Sequence, residues 1–280
     1  MAATGFDNRI FLTLKQLGAE YQPLIPMLLD LVVDEKDQKH RLTAATALGE
    51  VGYHTTEIRD LLLKQAKPGS GEKDRWVREA ILRCLAQWPV DAQVAALLRP
   101  LALQGDWEAL EYFKNQAKQS PGDLGEVMKG RASSEQWTVN GPAKEWLNGN
   151  LPAGQRDAFV MEKLKANVNH GFYCQWAAEI KPTIPGLADW MVAAAKGGDL
   201  PAIQNLATAT DARTAMDVLV PLVGQPKTAL AAIKGLGRLG ADAKPALELL
   251  RKAATDTNKE IANSAATAIK AIEAAPAKGN

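Results

Sequence analysis

Apolar and small residues fall on one helical face in two well-separated stretches of the chain. Ala44, Ala45, Leu48 and Val51 repeat the spacing of Ala232, Ile233, Leu236 and Leu239, at i, i+1, i+4 and i+7. Each set ends in Leu-Gly-x-apolar-Gly, closing at Gly52 and Gly240. A glycine just past the last periodic residue supplies the left-handed position that ends many helices. Ile10, Phe11, Leu14 and Leu17 fit the same register ahead of Gly18, which is followed five positions later by Pro23, as Gly240 is by Pro245. Proline is tolerated near a helix start, where a missing N–H costs little. A second apolar run follows each glycine: Leu24 to Val33, Ile58 to Ala66 and Ala246 to Ala253. Aligning these stretches, with Arg78 on Arg41 and Ile261 to Ile272 on Thr228 to Leu239, gives steps of 33 to 37 residues. Two short helices and two turns fill such a step. One pair cannot bury both of its apolar faces, whereas stacked pairs share a continuous core.

The pattern weakens in the middle. Residues 105–130 read as a divergent pair led by Trp107, Leu110 and Phe113, with Leu124 and Met128 on a shorter second helix. Residues 131–152 are dense in Gly, Pro, Asn and Ser, and read as a loop insertion holding at most a short helix around Ala143 to Leu147. Periodicity returns with Phe159, Leu164 and Val168, then Phe172, Trp176 and Ile180, then Ile184 to Ala195, and two more pairs follow through Val223. Residues 274–280 carry too little apolar surface to order themselves and are expected to form a disordered tail.

Val77-Arg78 in a first helix, and Leu48-Gly49-Glu50-Val51-Gly52 and Leu236-Gly237-Arg238-Leu239-Gly240 at helix ends, resemble the HEAT-repeat family, in its bacterial, phycobilisome-lyase-type form. The resemblance is good over residues 6–103 and 226–273 and poor between them. It implies an all-α, right-handed α-solenoid of stacked antiparallel helix pairs with an irregular central segment. The domain reading is one solenoid over 1–273, with a divergent middle at 104–225. The last unit lacks a recognisable polar second helix, as in a minimal cap or a chain cut from something longer.

Composition supports helix. Apolar residues make up 46% of the chain, with Ala prominent, and Ala and Leu favour helix over the β-branched types. The formal net charge is only +1, which argues against a dedicated nucleic-acid binder. Cys84 and Cys174 are too few and too far apart for a disulfide framework and read as buried thiols. No apolar run approaches the ~20 residues of a membrane span. The N-terminus lacks a basic region followed by an apolar one, so a cytoplasmic location is expected, although a removed export signal would leave the same sequence.

Candidate chemistry is sparse. No phosphate loop, nucleophile elbow or metalloprotease motif occurs. His170 and Cys174 stand at i, i+4 and could begin a zinc site, but no second ligand pair follows in sequence, so no metal or cofactor is expected. The charged stretches Asp34 to Asp37 and Glu72 to Arg75 read as solvated turns. Of seven tryptophans, Trp76, Trp88, Trp107, Trp176 and Trp190 are assigned to packing between repeats. Trp137 and Trp146, with Asn140 between them, lie in the irregular segment and are the candidate partner-binding residues. The expected function is a non-enzymatic scaffold binding a protein or peptide partner, or a subunit of a larger assembly, with the binding face formed by second helices. The resemblance leaves an enzymatic alternative, since some HEAT-like proteins are bilin lyases or DNA glycosylases.

Overall fold

Aspartate starts many of the helices. In the computed structural model, which describes residues 22–34, 36–52, 54–69, 71–180 and 184–276, Asp37, Asp74, Asp91, Asp106, Asp199 and Asp211 each accept from the backbone N–H groups of a first helical turn. Such caps satisfy orphan donors and are each worth about 1 kcal/mol. The backbone N–H groups lying against the Asp37 carboxyl hold it below the usual carboxylate range. Asp37 and Asp74 thus cap helices, so the charged stretches around them are more than solvated turns.

Among the described residues there are sixteen α-helices and no β-strand. The chain forms two compact units, Met1–Leu147 and Asn148–Asn280. The first contains α1 (Ile25–Val32), α2 (Gln38–Val51), α3 (Thr56–Ala66), α4 (Arg75–Ala86), α5 (Ala92–Leu103), α6 (Trp107–Gln116) and α7 (Pro121–Ala132). Here α2, α4 and α6 pack side by side in one row, and α3, α5 and α7 in a second. Helix α8 (Trp137–Asn150) runs through the boundary. The second unit holds α9 (Ala153–Lys165), α10 (His170–Glu179), α11 (Leu187–Lys196), α12 (Leu200–Ala209), α13 (Ala212–Val223), α14 (Ala229–Arg238), a 3₁₀ segment (Gly240–Ala246), α15 (Leu247–Ala253) and α16 (Lys259–Ala274). Its first row is α10, α12, α14 and α16, each packed on the next. The fold is an all-α solenoid of stacked helix pairs. None of the described helices is long and apolar enough to cross a membrane.

The matching slots have matching causes. Gly52 and Gly240 both adopt left-handed backbone, with φ of +65° and +59°. Gly49 and Gly237 serve a different purpose: a Cβ on Gly49 would lie 3.3 Å from the Cβ of Cys84 on α4, and one on Gly237 would lie 3.1 Å from that of Ala268 on α16. The next helix therefore passes over a missing side chain in both places. Nothing lies within 4 Å of where a Cβ on Gly52 would stand, so Gly52→Ala isolates the backbone effect. We expect it to cost about 1–2 kcal/mol in chemical denaturation, and Gly52→Asn less. A neutral Ala variant would show that the helix end re-forms with ordinary dihedrals.

Two expectations need correction. First, the central segment is not an irregular insertion. Helix α8 spans Trp137–Asn150 despite Gly141, Pro142 and Gly149, because Val139, Ala143 and Leu147 recur every fourth residue and are all buried. Burial of that stripe outweighs poor helix propensity. Pro142 lies in the second turn of the helix, where it removes a single ladder bond. Second, most steps between first-row helices are shorter than the expected 33 to 37 residues. In the first unit α2, α4 and α6 begin 37 and 32 residues apart, and in the second α10, α12, α14 and α16 begin 30, 29 and 30 residues apart. Shorter helices and shorter turns share the difference: α2 and α3 have 14 and 11 residues, α10 and α11 have 10 each. Ile10, Phe11, Leu14, Leu17 and Gly18 lie outside the described residues, as do 277–280 of the expected tail. Ala274 is the last residue of α16.

Polar side chains pin neighbouring repeats to one another, some reaching back and some forward. Asn115 and Gln116 on α6 donate to the carbonyls of Ala86 (3.0 Å) and Trp88 (2.7 Å), which follow the end of α4. Arg131 on α7 donates to the Ala102 carbonyl at the end of α5. Arg41 on α2 donates to Glu72 in the turn before α4, at 2.7 Å, and to the Asp34 carbonyl. In the second unit, Arg238 on α14 reaches the Gln204 carbonyl and Asn205 Oδ1 on α12.

A candidate interaction surface on the first unit

Trp76, Trp107 and Trp137 stand within the first two residues of α4, α6 and α8, and are 59%, 59% and 67% exposed. The buried stripe explains why. On α4, Val77, Ala80, Ile81 and Cys84 face the core, and Trp76, one residue ahead of that stripe, turns about 100° away from it. Trp76 and Trp107 are therefore not packing between repeats, contrary to expectation. The signal was present in the sequence: both fall one or two residues past an aspartate cap and off the periodic face. Trp88 and Trp176 are buried as expected, and Trp190 is half-buried.

Cations sit against these rings. The Lys114 ammonium lies 3.8 Å from the centroid of Trp107, and the Arg75 guanidinium 5.4 Å from that of Trp76. Such contacts hold an exposed ring in place at a gain of about 0.5–1 kcal/mol. The Trp137 ring lies along its own helix over Gly141, where a Cβ would approach it to 3.5 Å.

A cavity of about 570 Å³ is lined by Glu72, Lys73, Arg75, Arg78, Glu79 and Asp106 among others; Arg75 and Asp106 directly precede Trp76 and Trp107 in sequence. Arg78 is its unusual member. Arg41 and Arg78 occupy the same slot, four residues past their capping aspartates Asp37 and Asp74. Arg41 pairs with Glu72, two residues ahead of the next cap, Asp74. The matching residue ahead of Asp106 is Gln104, so the ladder offers Arg78 no carboxylate. The Arg78 Nε is buried without a hydrogen-bond partner, and no ion pair joins Arg78 to the described residues.

The residues singled out in the central segment do not form one patch. Trp137 and Trp146 are nine positions apart on α8, about 180° around the helix, and Trp146 is half-buried. Asn140 is 3% exposed and donates from Nδ2 to the Ser134 carbonyl at 2.8 Å, bracing the turn between α7 and α8.

Residues 25–112 match the family model for HEAT repeats. No curated protein matches the chain. Among solved structures, a designed armadillo repeat protein is similar at 15% identity, over 89% of this chain and 99% of that one, with a TM-score of 0.23. The matched segment, about a third of the chain, holds α1 to α5 with the Leu-Gly-x-Val-Gly end and the Val77-Arg78 pair, and over that segment the chain is similar to HEAT repeats.

Proposed function

We propose that the protein is a non-enzymatic scaffold whose first unit binds an extended segment of a protein or peptide partner across the first turns of α4, α6 and α8. The observation that carries this reading is the recurrence of a mostly exposed tryptophan at the first or second residue of α4, α6 and α8. Packed helix axes lie about 8–10 Å apart, which is the span of roughly three extended residues. A segment with apolar side chains three residues apart can therefore place one on Trp76 and the next on Trp107. A carboxylate between them meets Arg78, for which a bidentate partner is the natural complement. Trp137 extends the row, while Trp146 serves a partner only from the other side of α8.

The enzymatic alternative requires an acid beside an aromatic ring in an enclosed pocket. The cavity at Arg78 has acids in its lining, but none of the tryptophans lines it.

Selection of binders from a random-peptide library against the protein tests the proposal. The dominant peptides should pair apolar residues with an acidic one. Trp76→Ala combined with Trp107→Ala should weaken them by about 30-fold or more, the loss of a hot spot worth ~2 kcal/mol. Arg78→Gln should weaken acidic peptides and spare their amidated counterparts. Peptides that bind these variants as well as the parent protein would remove the surface from consideration.

A further inference from the structure

His170 and Cys174 gain a third neighbour from the fold that their sequence spacing does not reveal. His170 opens α10, and Cys174 lies one turn later on the same face. Asp199 caps α12, the next helix in the row, and its carboxylate meets them from the turn after α11. Asp199 Oδ2 lies 2.8 Å from His170 Nε2, and Cys174 Sγ lies 3.5 Å from the same nitrogen. All three ligand atoms fall within 4.8 Å of one another. Asp199 Oδ1 is already engaged as the cap, accepting from the Ala202 N–H at 2.8 Å, which leaves Oδ2 free to face the cluster.

The geometry distinguishes between two chemistries. In a cysteine nucleophile triad the thiol and the carboxylate use opposite imidazole nitrogens, so that the acid orients the base. Here both address Nε2, and Nδ1 is buried without a partner. Cys174 is also fully buried, so no substrate reaches its sulfur. Clustering of one nitrogen, one sulfur and one oxygen within 4.8 Å is instead the arrangement a metal ion bridges. In a tetrahedral zinc site with bonds of about 2.0–2.3 Å, ligand atoms lie roughly 3.3–3.8 Å apart. The sulfur–nitrogen separation already fits, and the nitrogen–oxygen separation opens by about half an ångström on turning the Asp199 side chain. The side chains of His170 and Asp199 are 16% and 29% exposed, which leaves an entry path from the surface. The ring is steadied by Trp190, whose centroid lies 5.7 Å away in an edge contact. The turn before α10 carries Asn167 and Asn169 with positive φ, the only non-glycine residues so placed among those described, and it sets where α10 begins.

We infer that His170, Cys174 and Asp199 form a three-ligand zinc site that ties the start of α10 to the start of α12 and leaves one coordination position open. On binding, the Cys174 thiol releases one proton to solvent and the imidazole proton moves from Nε2 to Nδ1. The resulting Zn²⁺, thiolate, neutral imidazole and carboxylate carry no net charge, which suits a half-buried position. The mixed sulfur, nitrogen and oxygen set favours zinc over magnesium or calcium.

Titration of the full chain with Co²⁺ under reducing conditions tests the site. One equivalent should give tetrahedral cobalt bands with a thiolate charge-transfer band, and Zn²⁺ should displace them. Cys174→Ser should abolish the charge-transfer band, whereas Cys84→Ser should retain it. Asp199→Asn keeps a competent helix cap and should weaken binding by more than about tenfold, the lower range for disturbing even a supporting residue of a metal site. Circular dichroism confirms that each variant remains helical. Absence of the thiolate band in the parent protein, or its persistence in folded Cys174→Ser, would overturn the assignment.

Discussion

Trp176→Ala should destabilise the second unit by about 3–5 kcal/mol, the usual cost of removing a fully buried tryptophan. That is a large share of the ~5–15 kcal/mol that holds a typical domain. Trp176 has no exposed surface, and its ring meets Phe159, Phe172 and Tyr173, with centroids 5.6–6.1 Å away. Its Nε1–H donates to Asn148 Oδ1 at 2.9 Å, so truncation also leaves a half-buried acceptor unpaired. Trp176→Phe separates these contributions: it keeps most of the packing and loses the hydrogen bond, for an expected ~1–2 kcal/mol. Urea unfolding followed by hydrogen exchange resolves where the loss falls. Protection should drop first in α9, α10 and α12. A change below about 1 kcal/mol for the alanine variant would mean that neighbouring side chains refill the space.

The second large effect is expected at Glu72. The side chains of Arg41 and Glu72 are 14% and 7% exposed, so their pair is shielded from water and from salt. Glu72 Oε1 also accepts from the Asp74 N–H at 2.8 Å, next to the cap of α4. Glu72→Ala strands the Arg41 guanidinium and loosens that turn, at a cost of about 2–4 kcal/mol, near the lower end of the range for breaking a buried pair. Replacing both residues together, as Arg41→Leu with Glu72→Leu, should recover much of the loss, because no charge is left without its partner. A double-mutant cycle in chemical denaturation measures this directly. Additive single and double effects would show that the two side chains do not act as a pair.

The repeat was legible where two periodicities agreed. Ala44, Ala45 and Leu48 announce a buried face, and Gly52 announces its end, since few residues other than glycine hold a φ of +65° at ease. Helix α8 was illegible for the opposite reason. Gly141, Pro142 and Asn148 argue locally for a loop, and only neighbours supplied by the fold make a helix of Val139, Ala143 and Leu147. The exposed tryptophans were misassigned because size and apolarity suggest burial, whereas position relative to the buried stripe decides it. Trp76 and Trp88 differ by about a third of a turn on one continued helical wheel, and only Trp88 meets the core. The cluster at Cys174 could not be read along the chain at all. Asp199 is 25 residues from Cys174, and that proximity arises only when α12 stacks on α10.

The pins between repeats run both ways. Donors on α6, α7 and α14 reach back to carbonyls or amide oxygens of the preceding repeat, at Ala86, Trp88, Ala102, Gln204 and Asn205. Arg41, Arg59 and Arg99 reach the other way, to Glu72, Asp91 and Asp123 of the repeat that follows. Excising a repeat from the middle of the first unit therefore severs partners on both of its sides, so each repeat there is coupled to two neighbours at once.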